Sequence, residues 1–200
     1  MSWQNEYEDV QLTEPIQPKK DCLVQIAAAE GASWTVKPAS EGGAPGFEGQ
    51  VFPAMKLTVL ITDPNVETEH EGSRVRRTIE HRLNLDRYPF KDKNGAVGWM
   101  GKQGLYELEE ALGFPPVYVN AELQPVEPFI TRTGRKAAPR GEGIKRQLNQ
   151  DFLRAYFTPE GNPNLEWAGK NLAADIEIQR DDRYGDRNRI VRFKPVPVNV

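Results

Sequence analysis

The sequence predicts an all-β, β-rich fold, and three observations carry that expectation. Its 16 prolines and 17 glycines argue against a helical bundle, because both residues are unfavourable inside helices and frequent in the turns of β proteins. Several segments alternate apolar and polar residues with the period of a half-buried strand. The last third holds the clearest hairpin: Leu165-Glu-Trp-Ala-Gly-Lys170 leads into an alternating run, Tyr184-Gly-Asp-Arg-Asn188 makes a turn, and Arg189-Ile-Val-Arg-Phe-Lys194 returns. Together these elements suffice for a small closed β-barrel with basic loops.

The elements follow in chain order. Residues 1–21 contain Pro15 and Pro18 without a sustained period and read as an acidic flexible N-terminal arm. The domain proper is expected over residues 22–200. In its first strand Cys22, Val24, Ile26 and Ala28 share one face, and the Gly/Pro-rich stretch from Gly42 to Gly49 follows. The second strand puts Met55, Leu57, Val59 and Ile61 inward and ends at Asp63-Pro-Asn65. A third, Arg74 to Leu85, places Val75, Ile79, Leu83 and Leu85 on one side with Arg77 and His81. Arg74, Arg76, Thr78 and Arg82 fall on the other, a row of cations spaced about 6.5 to 7 Å apart, close to the spacing of phosphates along an extended nucleic-acid strand.

A helix is expected over Lys102 to Gly113, with Leu105, Leu108 and Leu112 on one stripe and Gly113, Pro115 and Pro116 as its stop. Ile144 to Phe157 reads as a second, weaker helix along Ile144, Leu148, Phe152, Ala155 and Tyr156. Between them residues 120–146 form a basic loop insertion. Within residues 128–146, Arg132, Arg135, Lys136, Arg140, Lys145 and Arg146 face only Glu142. The closing hairpin directs Leu172, Ala174, Ile176 and Ile178 to one face, and Pro195 and Pro197 end the sheet.

Charge and cysteine content narrow the function. The net charge of −3 divides into −8 over residues 1–71 and +5 over the remainder, so the chain is acidic in front and basic behind. The single Cys22 makes no intramolecular disulfide and reads as a buried strand residue in a reducing compartment. No apolar stretch of membrane-spanning length and no secretory signal is expected, which suggests a cytoplasmic protein without a membrane partner.

Three strands, a helix, a basic insertion with a second short helix, and two strands follow one another. That is the succession of the five-stranded Greek-key barrel known as the OB-fold, whose face and loops hold oligonucleotides. The chain also resembles phage-type single-stranded DNA-binding proteins associated with viral replication and recombination. The likeness rests on the helix end Glu-Ala-Leu-Gly-Phe114, on Trp167-Ala-Gly-Lys170 before an alternating strand, and on Arg180 to Lys194. It covers residues 22–196.

This resemblance implies single-stranded DNA binding with little sequence preference, in the host cytoplasm if the protein is viral. It departs from the pattern at the C-terminus, where Pro195-Val-Pro-Val-Asn-Val200 carries no carboxylate side chain, whereas many such proteins end in an acidic tail. The acidic residues Glu6, Glu8, Asp9 and Glu14 stand instead at the N-terminus and suggest an arm that recruits replication or recombination proteins or competes with the ligand, beside the plainer reading of a solubilising tail. Contacts to the 2′-hydroxyl decide between DNA and RNA, and composition does not reveal them.

Binding of this kind combines cations along phosphates with rings that stack on bases. The phosphate candidates are Arg74, Arg76 and Arg82 on the third strand, Arg132, Arg135, Lys136 and Arg140 in the loop, and Arg183, Arg187 and Arg189 at the hairpin. The stacking candidates are Trp34, Tyr88, Phe90, Trp99, Phe129 and Tyr184, which lie in loops or beside basic residues. Trp167 is assigned to the core.

Two other readings stay open. A structural or adaptor protein, such as a virion component or an inhibitor of a host enzyme, would use the same loops to hold a protein partner. A metal-dependent nuclease would need clustered carboxylates, and Asp175, Glu177, Asp181, Asp182 and Asp186 are the dense set near basic residues. Solvent-facing carboxylates on a hairpin account for them more simply. His70 and His81 lack further ligands at zinc spacing, neither Gly101-Lys102 nor Gly169-Lys170 completes a phosphate-binding P-loop, and no serine lies in a nucleophile elbow. No catalytic residue, metal or cofactor is therefore expected.

Overall fold

One long strand organises the molecule. The computed structural model describes residues 15–66, 69–70, 73–74, 77–130, 136–139, 141–180 and 185–197, with backbone alone for 69–70, 73–74 and 136. In chain order β1 (Lys19–Thr35) and β2 (Val51–Ile61) are followed by the short β3 (Glu69–His70) and β4 (Ser73–Arg74), then β5 (Thr78–Asn84), β6 (Tyr88–Lys91) and β7 (Val97–Met100). Helix α1 (Gln103–Ala111) precedes β8 (Val117–Val119), β9 (Phe129–Ile130), β10 (Lys136–Ala137) and β11 (Lys145–Gln147). Helix α2 (Gln150–Tyr156), β12 (Asn171–Gln179) and β13 (Arg187–Lys194) complete the series. At 44% strand with two helices, the protein is β-rich.

Five strands form an antiparallel sheet in the order β13-β12-β1-β2-β5. β1 pairs with β12 through its first half and with β2 through Val24 to Thr35, which gives the sheet its continuity. No closed barrel is detected among the described residues, because β5 and β13 end the sheet order without a ladder between them. Side chains occupy that seam instead: His81 of β5 meets Phe193 of β13 edge to face at 5.4 Å, and α1 packs against both strands.

The predicted inward face of β2 matches the structure, and that of β12 does so through Ile176, beyond which Ile178 is only half-buried. Met55, Leu57, Val59, Leu172, Ala174 and Ile176 are fully or almost fully buried, as is the free Cys22, whose thiol is pushed up to about 11 chiefly by burial. β1 departs from the expected alternation. A bulge between Ile26 and Ala28 inserts one residue, so Ala28 leaves the face of Cys22, Val24 and Ile26, and Ala29 packs on the core in its place. A second bulge between Asp175 and Ile176 explains why both Ile190 and Phe193 point inward although they are three positions apart.

The third predicted strand is shorter than expected. β5 begins at Thr78, while Ser73 and Arg74 pair back onto His70 and Glu69 as a separate hairpin. Consequently its outward residues are Thr78, Glu80, Arg82 and Asn84, and the predicted row of cations does not run along one strand. Likewise the second helix starts only at Gln150. Residues 145–147 pair with β8, and the Asn149 side chain caps α2 by accepting the Asp151 N–H at 2.8 Å.

Helix α1 forms where the leucine spacing places it, with Leu105 and Leu108 buried. Trp167 is fully buried as expected and donates its indole N–H to the Tyr156 carbonyl at 2.8 Å, amid Phe114, Phe152, Tyr156 and Phe157. Ile16, inside the segment read as a flexible arm, belongs to the core. Its N–H donates to Asn188 Oδ1 and its carbonyl accepts from Asn188 Nδ2, each at 2.9 Å. Residues 1–14 lie outside the described residues.

Candidate nucleic-acid interface

The bulge in β1 decides what the outer face of the sheet presents. Beyond Ala28 the even-numbered residues of β1 turn outward, so Glu30, Ala32 and Trp34 line up with Lys56, Ala54 and Phe52 of β2. Arg82 and Asn84 of β5 continue these rows opposite Lys56 and Ala54. Ala32 and Ala54 are small, and across the trough they leave the Arg82 guanidinium stands over the Trp34 ring, 5.2 Å from its centroid.

The predicted residues Trp34, Arg82 and Tyr88 thus come together, joined by Phe52. Tyr88 lies 6.1 Å from Trp34 and 5.7 Å from Phe52, centroid to centroid. The Trp34 Nε1–H is buried without an acceptor among the described residues. An orphaned donor of this kind is unfavourable by about 1–3 kcal/mol, so the cluster holds one unsatisfied N–H.

Beside this cluster the hairpin of β6 and β7 projects Phe90, Val97, Trp99 and Met100, between 37% and 47% exposed. Its turn is built locally. The Asp92 carboxylate accepts the N–H groups of Asn94 and Ala96 at 2.9 and 2.8 Å, and Gly95 takes a φ of +84° that side-chain-bearing residues rarely adopt. Phe90 lies flat across Gly98, where an added Cβ would come within 2.6 Å of the ring. Trp99 meets Phe47, from the loop between β1 and β2, edge to face at 5.2 Å.

Charge on this face is mixed. Lys56 is held between Glu30 at 3.3 Å and Glu80 at 3.5 Å, and the bond to Glu30 above all raises its pKa. Among the described residues of this face, Arg82 is the cation that lies over a ring rather than beside a carboxylate.

The other predicted contacts are dispersed. Arg187 and Arg189 lie on β13, at the other end of the sheet order but across the seam from β5, where the Arg189 charge acts on His81; Arg189 also pairs with Glu177 at 3.7 Å. Phe129 stands on β9, 40% exposed. Of the remaining candidates, Arg74 lies on β4 and Lys136 on β10, each described by its backbone alone, and Arg76, Arg132, Arg135, Arg140, Arg183 and Tyr184 lie outside the described residues. Asp175, weighed above as a nuclease carboxylate, binds Lys194 at 2.7 Å and accepts the Asp21 N–H.

Sequence reasoning missed Phe47 and Phe52. Phe52 was detectable as the residue preceding Pro53 at the mouth of the second strand, but its partner Trp34 follows only once the bulge is known. Glu109 was also missed. Fully buried at a helix position that reads as polar, it accepts from Arg146 Nη2 at 2.9 Å and from the Asn149 N–H. Arg146, the last residue of the basic run, also pairs with Glu110 and stacks on Tyr106 at 4.4 Å, so it serves as an anchor for the insertion.

Comparison with protein-family models, curated proteins and solved structures finds no match.

Proposed function

We propose that the protein binds single-stranded DNA with little sequence preference, in phage-type replication or recombination, through the outer face of β1, β2 and β5 and the adjoining hairpin of β6 and β7. The observation that carries this reading is the gathering of Trp34, Phe52 and Tyr88, with the Arg82 guanidinium over the Trp34 ring, next to the exposed rings of Phe90 and Trp99. Rings accept any base by stacking, and a guanidinium serves a phosphate or a further base, which is the chemistry of sequence-tolerant single-strand binding. Replication or recombination proteins are the partners this role implies.

The same reading treats the sheet as an OB-fold with β1, β2, β5, β12 and β13 as its five strands. Their order and the position of α1 between the third and fourth support it.

The apolar hairpin favours a second reading, a structural or adaptor role in which Phe90, Val97, Trp99 and Met100 meet a protein. Titration of intrinsic tryptophan fluorescence with a mixed-sequence single strand and its duplex, at low and high salt, separates the two. Tight binding that prefers the single strand and weakens steeply with salt supports the first. Absence of binding to either at low salt removes it and moves the search to a protein partner.

A further inference from the structure

A cavity of about 630 Å³ lies between α1, α2 and the turn after α2, lined by none of the rings of the aromatic face. Leu85, Leu105, Leu148, Leu153, Phe157 and Pro159 line it, Lys102 and Arg154 add positive charge, the latter 3.6 Å from Asp151, and no carboxylate lines the cavity among the described residues. Its size is that of sites that hold a small molecule or a few side chains. Leu85, Leu148 and Leu153 are only partly buried, which leaves apolar surface in contact with water.

The chain contains a segment with the complementary chemistry. Residues 1–14 carry Glu6, Glu8, Asp9 and Glu14 and no lysine or arginine. Within them Trp3, Tyr7 and Val10 stand at i, i+4 and i+7, the spacing by which a short amphipathic helix presents anchors to a groove. With residues 3–10 helical and 11–14 extended, the segment reaches about 25 Å from residue 15, against a radius of roughly 20 Å for a compact domain of this length. The segment also starts from a suitable point. Ile16, tethered to Asn188 of β13, lies in the same core cluster as Leu105, and β13 packs against α1.

We propose that residues 1–14 dock into this cavity within the same molecule, with Trp3, Tyr7 and Val10 against the leucines and the carboxylates against Lys102 and Arg154. This docking is independent of the nucleic-acid reading and concerns a different surface. It assigns the acidic front of the chain a place on the α1–α2 side of the protein.

The test attaches a nitroxide to the full-length chain at Asn5→Cys, a position off the anchor stripe. The buried Cys22 leaves the introduced thiol as the reactive one. The expected result is strong paramagnetic broadening of the Leu148, Leu153 and Gly161 amides that is unchanged on dilution. Lys102→Glu with Arg154→Glu should lower the docked population about fivefold, the scale of two surface charge contacts, and Trp3→Ala with Tyr7→Ala should abolish the broadening. Unbroadened cavity amides, or broadening indifferent to Trp3→Ala with Tyr7→Ala, would overturn the proposal. So would broadening of isotope-enriched unlabelled protein by labelled molecules in a mixture, since that assigns the cavity to a second copy.

Discussion

Trp34 and Arg82 carry most of the proposed binding chemistry, and each fails in a different way when removed. Trp34→Ala deletes a stacking ring, so single-strand affinity should fall about tenfold, within the roughly 1–3 kcal/mol of one stacked base, while circular dichroism stays unchanged. Arg82→Ala should instead flatten the salt dependence, lowering the log–log slope by about 0.7, the value for one phosphate on a single strand. A variant with weaker binding but an unaltered slope would assign Arg82 to the ring alone. His81 makes a prediction about pH. Burial first, and the nearby Arg189 charge second, lower its pKa to about 4. The folded state therefore resists a proton that the unfolded chain accepts near pH 6.5. Its contribution is complete above that pH and is lost as pH falls toward 4. Urea midpoints measured across this window should decline less steeply in His81→Gln than in the wild type.

At the level of elements, local pattern and long-range pairing divide what was legible. Helix α1, the inward faces of β2 and β12, and the closing hairpin were readable because each depends on its own periodicity and stop residues. The hairpin of β6 and β7 is readable in principle from Asp92-Lys-Asn-Gly95, yet its rings read as loop aromatics, since Pro89 and Gly98 mask the alternation. The shortened β5, the late start of α2 and the pairing of Trp34 with Phe52 were not legible, because partner strands, caps and bulges decide them. Glu109 belongs with these: only Arg146 and Asn149, distant in sequence, make its burial favourable. This carboxylate ties α1 to the strand and helix that end the basic insertion. Glu109→Ala leaves Arg146 without its buried partner and should cost about 3–5 kcal/mol, read as a lowered urea midpoint. Replacing both residues together, as Glu109→Leu with Arg146→Met, should recover much of that loss.

For the whole molecule, the arrangement of charge matters more than its total. The candidate cations are divided along the chain among the segment around β4, the outer face, the closing hairpin and the 120–146 insertion, while Glu30 and Glu80 hold Lys56 at the centre of the face. The account therefore assigns base contact to the rings around Trp34 and predicts that the insertion adds affinity without specificity. Neutralising Arg132, Arg135, Lys136 and Arg140 together should weaken all single strands alike and leave the fold intact. The central claim is that the aromatic face binds a single strand. It is tested most directly by fluorescence anisotropy of a labelled mixed-sequence single strand across a salt series, comparing the wild type with Trp34→Ala combined with Tyr88→Ala. The account predicts log-linear salt dependence for both proteins, with the double variant weaker at every salt concentration. Equal binding by the two proteins, or none by the wild type at low salt, would contradict it.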